Sequence, residues 1–410
     1  MVVIYHILIS LYSVIICLAS LFGNQKAKLW IKGRKDLFKK LKAGLKQNEQ
    51  RIWVHAASLG EFEQGRPVIE KIKELHPDVK IFLTFFSPSG YEVRKNYAGA
   101  DYIYYLPSDT YHHAKSFVDL VKPEKVFFIK YEYWYNYLNT LKEQDIPVYL
   151  CSAIFREDQL FFKWYGGWYR KILSLFTHLF VQTGKSKALL ATIGFTNVTI
   201  TGDTRFDRVY DIAIKAKEIP EVSSFVGVNQ CLIAGSTWEP DEDLISSYIN
   251  DSLLPLKYII APHEINISHI ERLEKSIRKK AIRFSKWKQN PIGEYDVLII
   301  DNIGMLSSLY RYGHVSYIGG GFGKGIHNTL EAATFELPII FGPNYLKFQE
   351  AKDLIDLGGA FPINDLPQLK YKLDELFNNS TTLCNAQKIA GDYVRNNVGA
   401  TALIINHVYR

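Results

Sequence analysis

Residues 314–343 read HVSYIGGGFGKGIHNTLEAATFELPIIFGP: an apolar run, a glycine-rich turn, an alanine-rich stretch with helical spacing, and a second apolar run. That is the pattern of one β-loop-α-β unit and argues for a parallel α/β fold. Gly319, Gly320, Gly321, Gly323 and Gly325 remove side chains where the backbone would approach a ligand. A helix opening near His327 and Asn328 would turn its unpaired N–H groups and positive dipole end toward that loop. Such a turn suits a phosphate, and it equally suits tight turning and close helix–sheet packing. GGGFGKGIHN lacks the Gly-Lys-Ser/Thr ending of a Walker loop, and no acidic residue closes a second strand as a dinucleotide site requires. Glu331 follows His327 by four residues and would share its helix face, placed to accept ribose hydroxyl protons.

Outward from this unit, short apolar runs alternate with amphipathic helical stretches from Arg51 onward. The expected strands of a first sheet are Ile52–Ala56, Lys80–Phe85, Tyr102–Leu106, Lys125–Ile129, Val148–Cys151, His178–Val181 and Val198–Thr201. A second series is expected at Cys231–Gly235, Tyr258–Ala261, Val297–Asp301, Val315–Gly319, Pro338–Phe341 and Gly359–Pro362. Between them, Thr201–Gln230 is polar and helical in pattern, which places a domain boundary there. The reading is two Rossmann-like, doubly wound domains facing across a cleft, with ligands at the carboxyl ends of the strands. The domains are expected at residues 26–205 and 206–410, with the last helix returning to the first domain.

The chain has 410 residues, 47% hydrophobic and 22% charged, which affords two folded cores. Cys17, Cys151, Cys231 and Cys384 lie far apart without a CxxC or Cys/His cluster, which argues against a disulfide framework or structural zinc. Residues 2–22 form an apolar run as long as the roughly 20 residues that span a bilayer. Basic residues follow it rather than precede it: residues 26–46 hold nine Lys/Arg against the single acid Asp36. Residues 1–25 therefore read as a retained membrane anchor, with the body on the cytoplasmic side near the membrane's anionic lipids. Trp30, Leu37, Phe38 and Leu41 interleave with the charges at helical spacing, which favours an interfacial helix over a nucleic-acid patch.

Loops after strands carry the candidate chemistry. Ser58-Leu59-Gly60-Glu61 follows the first strand, and Pro67 starts the helix beyond it, so Glu61 is expected in the turn. Its carboxylate is either a general base for an incoming hydroxyl or a complement to a helix end. Ser87, Ser89 and Gly90 follow the second strand around Pro88 and could hold a sugar or anion, or cap a helix. Lys130 and Glu132 stand among aromatics, in a setting equally suited to sugar stacking and to ordinary core. His263 and His269 are six apart, so a helix would turn them to different faces and no joint metal site is expected. His263 fits an anion contact at a strand end and equally a polar turn.

SLGE, SPSG, TGDTRFD, GSTWEPDE, APHE, IDNIGML and the opening stretch occur in an order that resembles the 3-deoxy-D-manno-octulosonic acid (Kdo) transferases of lipopolysaccharide assembly. The resemblance implies a glycosyltransferase-B fold, CMP-Kdo as donor, a lipid A precursor of the lipid IVA type as acceptor, and inversion at the anomeric carbon. It implies no cofactor and no metal. Carried over, Glu61 matches the catalytic acid/base position. Ser58, Gly60, Ser87, Ser89, Gly90 and Glu132 match the acceptor side. Arg205, Ser236, Thr237, Pro262, His263, Gly304, Gly320, Gly321, His327, Asn328 and Glu331 match the donor side. Three motifs depart from the family pattern. Asp203 replaces an Asn in Asp203-Thr204-Arg205-Phe206-Asp207, Pro262-His263-Glu264 lacks an arginine, and Lys130-Tyr131-Glu132 keeps only the second acid. A sugar-nucleotide epimerase of the same architecture and a catalytically dead membrane-tethered binding protein are the competing readings.

Overall fold

The computed structural model describes residues 1–289 and 292–410. Seven strands follow one another in the first part of the chain: β1 (Arg51–Ala56), β2 (Lys80–Phe85), β3 (Tyr102–Tyr105), β4 (Lys125–Ile129), β5 (Val148–Ala153), β6 (His178–Val181) and β7 (Val198–Ile200). They form one all-parallel sheet in the order β3-β2-β1-β4-β5-β6-β7. Every residue of β1 is buried, as expected for a parallel strand covered by helices on both faces. The period-two alternation splits its side chains between two cores: Trp53 packs with Phe82, Phe117 and Phe128 on one face, while Ile52 and Val54 join Phe62, Ile69 and Ile72 on the other.

A second all-parallel sheet contains β8 (Cys231–Thr237), β9 (Lys257–Pro262), β10 (Ala281–Arg283), β11 (Val297–Ile299), β12 (Val315–Ile318), β13 (Ile339–Phe341) and β14 (Ala360–Pro362). Its order is β10-β11-β9-β8-β12-β13-β14. The sequence pattern finds thirteen of the fourteen strands among the described residues. It misses β10, three residues of which only Ile282 is buried, too short to show a period. The chain divides into two compact units, Met1–Arg208 with Gly399–Arg410, and Val209–Val398. In the first, Ile404 and Ile405 of the helix Ala400–Val408 enter the core that holds Phe62 and Ile69. Asp207 fixes that helix, accepting from Gly399 N and Thr401 N at 2.6 Å each and from Thr401 Oγ1 at 2.5 Å.

The N-terminal helix α1 (Val2–Leu21) is long and apolar enough to cross a membrane. Its first two turns are fastened to the first unit: Tyr5 donates to Asp109 (2.5 Å) and His6 Nε2 meets Asn136 Oδ1 (2.9 Å). Its remaining faces are exposed, with Val3, Ile7, Leu11 and Leu18 all half or more open to solvent or close to it. The basic stretch forms α2 (Gln25–Arg34) and α3 (Leu37–Gly44), and here the interfacial-helix expectation needs correction. Leu37 and Leu41 are buried in the unit's own core and Trp30 lies under the Arg34 guanidinium at 3.8 Å. Trp30, Leu37 and Leu41 therefore serve internal packing, while the lysines face out.

Candidate functional site

Helix α4 (Leu59–Leu75) starts directly after β1 and contains Pro67. The expectation that Pro67 begins the helix and leaves Glu61 in a turn is corrected: Ser58 is the N-cap and Glu61 lies in the first helical turn. Ser58-x-x-Glu61 is the spacing of a capping box, and the Ser58 hydroxyl donates to the Glu61 carboxylate. Glu61 is half-buried at the carboxyl end of β1, held at a helix start where a carboxylate is favoured.

The loops after β2 and β4 come to the same place, because these strands flank β1 in the sheet. Ala57 O accepts from Phe86 N (3.2 Å) and Ser87 N (2.7 Å), stitching the Ser58–Glu61 loop to the Ser87–Gly90 loop. Helix α5 (Pro88–Arg94) is capped by Ser87, whose Oγ lies 3.0 Å from that of Ser89. From β1, the fully buried His55 joins Thr84 (2.8 Å) to Glu132 (3.0 Å), and the Trp134 indole donates to the same Glu132 oxygen at 2.5 Å. Glu132 is thus a buried acceptor that pins the loop after β4, and Trp134 packs on Phe86 with ring centres 4.7 Å apart.

Lys130 and Ser152 adopt φ of 71° and 52° at the ends of β4 and within β5, a left-handed conformation that costs a non-glycine residue about 1–3 kcal/mol and recurs at functional sites. Tyr131, next to Lys130, has its hydroxyl pushed up by burial, opposed by Arg156, with the charges of Glu61 and Asp203 adding to the rise. Asp203 receives Gln64 Nε2 at 3.1 Å on both oxygens and the Arg205 guanidinium at 2.9 Å. The Asn-to-Asp departure thus supplies an ion-pair partner for the cation two residues on. Arg205 belongs to the first unit with Glu61, not with the other donor-side candidates.

In the second unit, the loops after β8, β9 and β12 meet. His263 N donates to Thr237 O (2.9 Å). Buried Asp241 accepts from Trp238 N (2.9 Å), Gly320 N (2.9 Å) and the Tyr317 hydroxyl (2.8 Å), tying the loop after β8 to the glycine loop. The His263 ring stacks on both Trp238 and His327, with centres 4.5 Å from each. His327 Nε2 accepts the Trp238 indole N–H at 3.0 Å, which assigns its own proton to Nδ1 in the neutral ring. Burial first, and His263 second, hold His327 below the usual histidine range. Ser236, next to last in β8, adopts φ 53° where the strand's register shifts. Thr237 donates to buried Glu242 (3.0 Å), which also takes His269 (2.8 Å) and Arg272 (2.9 Å); His269 is therefore separate from His263.

One expectation about the opening stretch is revised. The helix is short, Leu330–Thr334, so His327 precedes it and only Glu331 lies in its first turn. Asn328 provides the turn, accepting Leu330 N (3.1 Å) and donating to Glu331 (3.0 Å). Of the two readings open for the glycines, Gly319 and Gly321 fit close packing. A Cβ on Gly319 would lie 2.2 Å from Ser236 O, and one on Gly321 2.5 Å from Gly342 N, so both permit loop backbones to touch. Pro262 ends β9 in the core, and Gly304 lies exposed in the loop after β11. Trp238, Asp241 and His55 were not singled out by their sequence; only the Trp-Glu-Pro-Asp helix start hinted at the first two. Among the described residues no group of three His, Cys, Asp or Glu is arranged around a common metal position.

Residues 32–208 match the family model of 3-deoxy-D-manno-octulosonic-acid transferase (kdotransferase). The chain is 29% identical over 342 residues to the 3-deoxy-D-manno-octulosonic acid transferase of Aquifex aeolicus, covering 82% of this chain and 88% of that one. It is 27% identical over 404 residues to the enzyme of that name from Rickettsia bellii, covering 95% and 94%. In architecture it is similar to the UDP-GlcNAc 2-epimerase of Neisseria meningitidis bound to UDP-GlcNAc (TM-score 0.61, 16% identity, 88% and 100% covered). It is similar also to MurG of Acinetobacter baumannii (TM-score 0.56, 12% identity, 88% and 99% covered). These structural likenesses establish the two-sheet glycosyltransferase-B-like fold.

Proposed function

We propose that the chain is a Kdo transferase, a glycosyltransferase of lipopolysaccharide biosynthesis, as its similarity to that family suggests, and that it moves Kdo from CMP-Kdo to a hydroxyl of a lipid A precursor of the lipid IVA type. The reaction inverts the anomeric carbon. As the acceptor oxygen attacks, its O–H proton passes to Glu61, the new anomeric C–O bond forms on one face, and the bond to the CMP phosphate breaks on the other with the electron pair leaving on phosphate. The observation that carries this reading is the Glu61 carboxylate at the end of β1, oriented by the Ser58 hydroxyl beside the loops of Ser87 and Glu132.

The donor falls to the second unit. It presents His327 with a proton on Nδ1, the strained Ser236 backbone at the end of β8 and Glu331 in a helix's first turn, chemistry suited to a phosphate and a ribose. The leaving group is a single phosphate ester, so less charge develops than on a diphosphate, and protein donors in a fixed arrangement can meet it without a metal. The helix α1 and the exposed lysines of α2 and α3 suit an inner-membrane position with the body on the cytoplasmic side, where the lipid acceptor arrives by lateral diffusion.

The test combines purified protein with a Kdo-free lipid A precursor, Kdo, CTP and the activating synthetase, with product read by mass. Transfer should survive a metal chelator once CMP-Kdo is preformed. Glu61→Gln should lower the rate by about 10²–10⁴-fold while leaving CMP affinity within about twofold. Near-normal turnover of that variant would remove Glu61 as the base.

A further inference from the structure

Helix α1 carries two opposed faces along its whole length. Val2, Tyr5, Ile9, Ser13, Ile16 and Ser20, three and four residues apart, are partly buried. On the other side Ile4, Ile7, Leu8, Leu11, Ile15 and Leu18 form a row between 49% and 59% exposed. A helix of this length is about 30 Å long, and ties to the first unit recur along it. At its start, Tyr5 donates to buried Asp109, which also accepts Asn136 N and Tyr137 N (3.0 Å each) in the first turn of the helix Tyr135–Glu143. His6 meets the Asn136 side chain there. At mid-length the Tyr12 ring packs on Phe86 and Trp30, with centres 5.9 and 6.2 Å away. Beyond its end Gly23 turns the chain at φ 91°, and α2 runs back against α1 with Lys26, Lys28 and Lys32 exposed.

We propose that α1 does not cross the bilayer but lies in the plane of the leaflet facing the body, its exposed row sunk into the headgroup and acyl boundary and its N-terminus on the same side as the body. The inference uses the membrane reading of α1 and not the transfer chemistry. Length and composition alone allow a span, since a hydrocarbon core is about 30 Å thick. The contacts do not. To span, α1 would have to strip its covered face from the unit, take the Tyr5 donor from buried Asp109, and draw the three lysines of α2 into hydrocarbon, where each is strongly disfavoured. Lying flat keeps every one of these contacts and still removes the apolar row from water. The lysines then meet anionic headgroups. Leu160 lines one hollow with Ile4 and Leu8, and the loop it opens exposes Trp164 and Tyr165, side chains enriched where a bilayer meets water. Phe86, beneath Tyr12, leads into Ser87, whose N–H is bonded to Ala57 O ahead of Glu61. An in-plane α1 therefore holds the Glu61 turn close to the headgroups.

The test uses the full chain in vesicles of phosphatidylethanolamine and phosphatidylglycerol. The exposed cysteines are removed as Cys17→Ser and Cys384→Ser, and a nitroxide is attached singly through Ile4→Cys, Leu11→Cys or Leu18→Cys, seven residues apart on the exposed face. Depth is read by electron paramagnetic resonance, from collision with oxygen against collision with a water-soluble nickel chelate. All three labels should sit at one shallow depth, about 5–10 Å below the headgroup boundary. A spanning helix would instead separate the Ile4 and Leu18 labels by about 21 Å along the bilayer normal, with Leu11 near the centre, and that pattern would overturn the proposal. Labels shielded from both reagents would assign the face to a second copy of the chain, and labels open to the chelate alone would leave it in water; either result refutes leaflet binding. A peptide tag fused ahead of Met1 should be digested by protease from the same side as the body. A tag protected until detergent opens the vesicles would refute the in-plane arrangement. None of these readouts needs Kdo transfer, so protein that lies flat yet transfers no sugar would refute the functional reading and leave this one standing.

Discussion

Replacing Asp241 by alanine isolates the bond network that joins the two ligand-facing loops of the second unit. The side chain is 1% exposed and satisfies three donors, Trp238 N, Gly320 N and the Tyr317 hydroxyl. Each buried donor left without a partner costs about 1–3 kcal/mol. Water entering the space vacated by the carboxylate would relieve part of this, so the low end, about 3 kcal/mol in total, is the expected loss. The unit spans residues 209–398, and for a body of that size each kcal/mol lowers the melting temperature by about 2–4 °C. A fall of roughly 6–12 °C in its calorimetric transition follows. Asp241→Asn is the informative control. One amide oxygen can accept both N–H groups while the Tyr317 hydroxyl turns to accept from Nδ2, so its loss should stay below about 2 kcal/mol. The alanine variant should also bind CMP about tenfold or more weakly, because Trp238 and Gly320 lose their common tie. A melting temperature within about 3 °C of wild type, or an Asn variant as damaged as the Ala variant, would refute this account.

Asp207→Ala removes the acceptor for Gly399 N, Thr401 N and Thr401 Oγ1 and should cost about 2–4 kcal/mol, seen as faster amide exchange across residues 400–408; protection equal to wild type would count against it. His178 is held down to about 4, chiefly by burial and then by His407. A histidine lowered in the folded state leaves stability intact above pH 6.5 and loses it as the pH falls from there toward 4, since the unfolded chain takes up the proton first. For this half-exposed ring the loss should be about 1–2 kcal/mol after allowing for solvent screening. His178→Gln, able to keep the Thr199 contact, should flatten the dependence of melting temperature on pH between 6.5 and 4.5; an unaltered slope would exclude His178 as its source.

Much of the fold is legible along the chain because parallel strands buried on both faces are written as continuous apolar runs. The stretch from Val315 to Phe341 shows a strand, a loop, a short helix and another strand. Helix starts are less legible. Ser58 and Glu61 form a capping-box spacing, yet Pro67 competes as a start signal, and a proline tolerated inside α4 shows that packing of Phe62, Val68 and Ile69 overrides the local rule. The three residues of β10 carry too little pattern to be read at all.

The sequence by itself determined the two parallel sheets, the apolar N-terminal helix and the acidic candidate after β1, because strand burial, helix length and turn chemistry are local properties. Tertiary structure alone decided which groups serve those candidates. His55 reaches Glu132 across 77 residues and Trp238 reaches His327 across 89, pairings set by which strands lie side by side. The glycine loop shows the same division. Its composition is plain in the chain, but that Gly319 exists to let backbone touch Ser236 follows only from β12 lying next to β8, a non-local fact that no spacing along the chain encodes.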